Sequence, residues 1–267
     1  MKFVFTQLAL VAAFHVSTAD AQQYASSVVG TDFDIIRDSD PSCFLKLKYQ
    51  GIRSEEMPDK TDDAELFQKA HVFTASYMDQ AEITIAVDAD FETAAQAKQE
   101  ALRYASRIGK LPTVLRAGVQ RIVIHKGNED ATAFSDVGLI VMYSANATKR
   151  ISTHDLEETL FHESVHAAWD KKHAKSAEWK RAQMSDGTFA TLYGKKKPER
   201  EDLAESALFA FAMIHHPDRI PLRDRKKLST VIPARIDFVN QLIPYGKPLI
   251  FNRNGESLFT QEDADRK

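Results

Sequence analysis

The residues of this chain most able to do chemistry lie in Phe161-His162-Glu163-Ser164-Val165-His166, an H-E-x-x-H pattern. On a helix, His162 and His166 stand one turn apart on the same face, so both imidazoles can reach one ion. The glutamate between them stands beside the metal and can take a proton from a coordinated water. Zinc suits such nitrogen and oxygen ligands, and a catalytic site keeps one position open for water. A third ligand can come from Pro198-Glu199-Arg200-Glu201-Asp202-Leu203-Ala204-Glu205. Glu201 and Glu205 are four apart and share a helix face, while Leu203, Ala207, Phe211 and Ile214 fall largely on another. Either glutamate can coordinate, leaving the other to fix a ligand histidine.

A helix must present these residues. Ser152, with Asp155 three positions on, reads as a capping box opening a helix over 153–173. Phe161, Val165 and Ala168 give that helix an apolar flank. A second helix is expected over 176–184, ended by a turn at Asp186-Gly187. A third should run from Pro198 to His215, stopped before Pro217, and a last one over 231–243. Upstream, the runs 28–36, 44–49, 72–77, 83–87, 121–125 and 139–143 read as strands, and 91–108 as a helix with alanines at three-and-four spacing. These expectations give an α+β fold: a β-rich part, residues 22–150, and a helical part, 151–250, that carries the H-E-x-x-H helix. The stretch 138–144, just before that helix, is the expected sheet edge, where an extended peptide could add as a strand.

The motif and the residues downstream of it resemble the lethal-factor-like branch of the gluzincin zinc metallopeptidases: H-E-x-x-H, then Tyr-Gly, then E-x-x-A-E. The resemblance covers 156–213. It implies a zincin-like metallopeptidase domain over 22–267, with zinc held by His162, His166 and Glu201. It also implies Glu163 as general base and Tyr193 as support for the transition state. Asp170, in H-E-x-x-H-x-x-x-D, and Glu205 would orient the ligand histidines. The chain departs from the family's habit in two places. Val165 precedes the second histidine where glycine is frequent, and eight positions separate Tyr193 from Glu201, one more than usual. The same segment also resembles a group of uncharacterised secreted bacterial proteins regarded as zinc peptidases.

The implied activity is hydrolysis of peptide bonds, most simply as an endopeptidase. Two rivals stand beside it: a secreted binding protein stapled by a structural zinc, and a zinc hydrolase of a non-peptide amide. A closed structural site needs a fourth protein ligand, for which Glu205, His154 and His173 are the candidates. The remaining residues bound the partners. Among 267 residues, 35 are basic and 38 acidic, a net charge of −3 that gives no reason to expect nucleic acid. Lys2, the apolar run 3–16 and an Ala-x-Ala end describe a signal peptide, residues 1–21, and a secreted or periplasmic destination. No later apolar run approaches the roughly 20 residues a membrane span needs. Cys43 stands alone, so no disulfide framework or multi-cysteine zinc site exists. His71, His125, His154 and His173 lack a ligand-spaced partner and read as surface or loop residues. His215 and His216 suit the negative end of a helix. Lys195-Lys196-Lys197 reads as a short solvated loop, and Trp169 and Trp179 as core anchors.

Overall fold

The computed structural model describes residues 23–60 and 66–259, so the expected leader, residues 1–21, lies outside the described residues. Strands β1 (Phe44–Glu56), β2 (Phe67–Tyr77) and β3 (Glu82–Asp88) come first, then helices α1 (Ala94–Ile108) and α2 (Thr113–Arg116). Next are β4 (Arg121–His125), β5 (Thr132–Phe134) and β6 (Leu139–Tyr143). They form one mixed sheet in the order β1-β2-β3-β4-β6-β5, with β4 parallel to both β3 and β6. Side chains alternate between its faces with period two. Ile83, Ile85, Ile122, Ile124, Ile140 and Met142 face the main core, and Ala86, Val123, Val141 and Tyr143 face a smaller one. A sheet buried on both faces explains why its central strands are almost continuously apolar.

The helical half comprises α3 (Ser144–Ser152), α4 (Leu156–Trp169), α5 (Ala177–Asp186), α6 (Leu192–Lys196), α7 (Asp202–His215), α8 (Leu222–Val231) and α9 (Pro233–Leu242). The motif helix α4 is buried along nearly its whole length, so it is a central helix rather than an amphipathic surface one. It packs on α7, with the rings of Phe161 and Phe211 4.9 Å apart. Gly118 closes its other side. A methyl group there would overlap the Cα and Cβ of Ala168, so only glycine permits this approach. The start of α7 is fixed from below by Arg235, which is fully buried and donates to Asp202 and Asp186, each at 2.9 Å.

The α+β expectation is met, and several boundaries differ for local reasons. Residues 144–152 form their own helix, so Ser152 ends α3 instead of capping α4, and His154 turns the chain at φ 55°. Helix α4 stops at Trp169 and passes into a wider π-turn over Asp170–Ala174. Residues 198–201 form a turn, and α7 begins only at Asp202. Residues 28–36 are not a strand, and the amides at the end of this stretch serve a carboxylate of α4: Ile35 N and Ile36 N both donate to Glu158 Oε1, at 2.8 and 2.9 Å. The expected edge over 138–144 is an interior strand, since β5 pairs on its outer side. His71 and His125 are buried rather than superficial. The Tyr49 hydroxyl lies 2.9 Å from His71 Nδ1, and His125 Nε2 lies 3.0 Å from the Pro58 carbonyl. Trp169, Trp179 and Cys43 are buried in the core, and burial pushes the Cys43 thiol up to about 11. Among the described residues, no helix is long and apolar enough to cross a membrane.

Candidate metal centre

The spacing of the motif on α4 brings His162 Nε2 and His166 Nε2 to 3.1 Å from each other. Glu201, in the turn that opens α7, completes the group with Oε2 at 3.2 Å from His166 Nε2 and 3.5 Å from His162 Nε2. All three residues are buried. Two ring nitrogens facing each other beside a carboxylate oxygen bring lone pairs together, an arrangement that calls for a cation among them. The spacing also agrees with one. Ligands about 2.0–2.1 Å from a tetrahedral ion stand about 3.3 Å from one another. The three observed separations bracket that value, and this buried group can hold a metal ion.

The electrostatics arise from the crowding of acids around two imidazoles. Burial alone would lower the pKa of His166, but hydrogen bonds to Asp170 and Glu201 and the charge of Glu163 outweigh it and raise it to about 10. Burial likewise pushes the Glu201 carboxyl up, yet both histidines together hold it well below the usual carboxylate range. Glu163 has no such pairing: desolvation dominates and raises it. Its Oε2 is buried with no hydrogen-bond partner, so one oxygen of this carboxylate is free for another group.

The far nitrogens of the histidines are held in two different ways. His166 Nδ1 lies 2.7 Å from Asp170 Oδ2, one helical turn on. His162 Nδ1 faces Glu205 Oε1 at 3.5 Å, longer than a full hydrogen bond, and is buried without a hydrogen-bond partner. Glu205 is in turn gripped from the N-terminal segment: Ser26 Oγ donates to Oε1 at 3.0 Å and Ser27 N to Oε2 at 2.7 Å. That segment runs beside α6, where Tyr24 and Thr191 form a parallel bridge. Thr191 caps α6 by accepting from Gly194 N, and the same helix carries Tyr193.

A cleft of about 390 Å³ opens over the group and is bordered by Glu163, Tyr193, Val28, Val29, Lys60 and the β5 residues Thr132 and Ala133. Tyr193 is half-buried. Desolvation and the charges of Glu201 and Glu163 push its hydroxyl well above its ordinary value, so it stays protonated and can donate. Between Tyr193 and Glu201 the chain finishes α6 and makes a turn over residues 197–201. Lys195 and Lys196 belong to α6 rather than to a loop, and Lys197 lies over the Tyr193 ring, 4.9 Å from its centre.

His162, Glu163, His166, Glu201, Glu205, Asp170 and Tyr193 all line one cleft. None of the fourth-ligand candidates joins the three-residue group. Glu205 faces the far nitrogen of His162, His154 is exposed beyond α3, and His173 packs its ring on Trp169 and Phe238. Ser26, Ser27 and Lys60 escape sequence reasoning. Nothing local marks them, because their partners lie 70 to 179 positions away. Comparison of the chain with protein-family models, with curated proteins and with solved structures finds no match.

Proposed function

We propose that the protein is a secreted or periplasmic zinc metallopeptidase. The observation that carries this reading is the pairing of a three-ligand group at tetrahedral spacing with a carboxylate, Glu163, whose free oxygen is buried beside it. A zinc ion held by His162, His166 and Glu201 would supply Lewis acidity, polarising a carbonyl and lowering the pKa of water to about 7. The residues do the rest. Glu163 takes the proton of the attacking water and returns it to the leaving amine, a task that a raised pKa favours. Tyr193 donates a hydrogen bond to the developing oxyanion, an interaction whose removal costs about 2.7–4 kcal/mol in other hydrolases. Asp170 and Glu205 hold the histidines so that both Nε2 atoms converge. The resemblance of the motif to lethal-factor-like gluzincins points the same way. A purely structural zinc is disfavoured because none of the three fourth-ligand candidates reaches the group.

The test pairs metal analysis of the purified protein with peptide-library cleavage, with and without a chelator. One equivalent of zinc and chelator-sensitive cleavage are expected. Glu163→Gln should keep its zinc and lose about 10²–10⁴ in turnover, whereas Glu201→Gln should be largely metal-free. Full turnover in zinc-loaded Glu163→Gln would remove Glu163 from the chemistry, and unchanged metal content in Glu201→Gln would move the ligand elsewhere.

A further inference from the structure

Charge in the cleft is sorted by depth. Glu163, Glu201 and Glu205 form its floor and are 7%, 5% and 1% exposed. At its mouth stand Lys60, Lys197 and Arg200, and the side chains of the last two are 43% and 69% exposed. Arg200 and Asp170 also border a second hollow of about 470 Å³, whose walls carry Lys171 and Lys175. Besides Arg150, these five cations line the two hollows, on a chain whose net charge is −3.

Among the described residues, few carboxylates are paired with them. Asp170 is occupied by His166. Lys60 Nζ is bonded to the backbone carbonyls of Asp130 and Ala131, which carry no net charge. Lys197 and Arg200 lie 4.0 and 3.5 Å from Glu201 Oε1, but the charge of that carboxylate is shared with the imidazoles at Oε2. Lys171 lies 3.9 Å from Asp136, and among the described residues Asp130 and Glu199 are the other acids that border the two hollows above the floor. Arg150, a further cation of the cleft wall, is divided between Asp130 and Asp155.

We infer that the cleft takes an acidic peptide, with Arg200, shared by both hollows, as the central determinant of that preference. This rests on the peptidase reading of the same site. A peptide suits the sorting of charge. Its neutral backbone can lie along the acidic floor while Asp or Glu side chains reach up to the rim. A nucleic acid carries its charge on the backbone itself and would bring phosphates against the buried carboxylates.

The test uses acetylated, amidated peptides that differ only in Glu-to-Gln replacements flanking the cleaved bond. Cleavage is measured with the zinc-loaded protein and binding with its Glu163→Gln variant. Each acid that meets a rim cation should raise kcat/KM and affinity roughly two- to fivefold. The gain should fade as ionic strength rises toward about 1 M, where the screening length is about 3 Å. Arg200→Glu should abolish or invert the preference. If that variant loses zinc, Lys171→Glu combined with Lys175→Glu decides instead and should weaken the preference at the outer positions. Equal cleavage and equal binding of the acidic and amide peptides would overturn the inference while leaving the peptidase reading intact. So would tighter binding of an oligonucleotide of equal charge, or a gain seen only with a neutral peptide bearing a free C-terminal carboxylate. If zinc-loaded protein cleaves no peptide, the peptidase reading falls, and the binding comparison still decides whether acidic peptides are the ligand.

Discussion

Replacing Glu205 with glutamine changes one atom and tests how His162 is held. The carboxylate has two tasks: Oε2 accepts from the buried Ser27 N–H at 2.7 Å, and Oε1 accepts from Ser26 Oγ at 3.0 Å and faces His162 Nδ1 at 3.5 Å. A buried amide left without an acceptor costs about 1–3 kcal/mol, so the glutamine oxygen stays on Ser27. Its NH₂ then occupies the Oε1 position and points a donor at His162 Nδ1. The ring must either lose its partner or move its proton to Nε2, where it blocks coordination. Losses of this kind lower metal affinity about 10–100-fold, or about 1.4–2.7 kcal/mol. Competition with a chromophoric chelator measures the affinity, and circular dichroism with thermal melting of the metal-free variant shows that the fold persists. Asp170→Ala removes a 2.7 Å contact and should cost at least as much. An affinity within about twofold of the parent would show that Glu205 does not orient His162. A loss as complete as that of Glu201→Gln would make Glu205 the ligand and undo the role given to Glu201.

Two further perturbations test the scaffold. Burial raises the Glu158 carboxyl to about 8 from an ordinary 4.5, even though it accepts from two backbone amides. A raised carboxyl favours the folded state while it is protonated there. Stability should therefore fall as pH climbs between those two values, and denaturant midpoints of the metal-free protein should show this fall flattened in Glu158→Gln. A parent and variant with parallel profiles would refute it. Arg235→Leu leaves Asp186 and Asp202 buried without their cation and should cost about 3–5 kcal/mol in urea unfolding, with weaker metal binding as the start of α7 loosens. Unfolding within about 1 kcal/mol of the parent, well under the usual cost of a broken buried pair, would show that the pair does not fix that turn.

What the sequence made legible was what spacing alone determines. Two histidines four apart on a helix must meet, and two glutamates four apart at the start of another must share a side. The short apolar, β-branched runs in Ile83–Val87, Arg121–His125 and Leu139–Tyr143 have the length and composition of buried strands. What escaped were features set by distant partners. Residues 28–36 have the β-branched composition of a strand, yet the amides of Ile35 and Ile36 are claimed by Glu158, more than 120 positions away. β5 is three residues long, too short for alternation to show, and its presence moved the sheet edge outward. His71 and His125 looked superficial because a polar residue without a spaced partner usually is. Each is buried because one tyrosine hydroxyl or one carbonyl awaits it. Helix α8 is dominated by charged residues, and little beyond Leu228 and Val231 tells where it packs.

The two histidines also differ in when their support can form. Asp170 lies four positions beyond His166, so that clamp arises as soon as its helix does. The clamp on His162 needs Glu205 and Ser26, which are 179 positions apart, and so must wait for two remote stretches of chain to be brought together. Closing so long a loop is slow compared with winding a helix. A chain refolding in the presence of zinc should therefore gain helical signal first and tight metal capture later, the second event marking the arrival of the N-terminal segment.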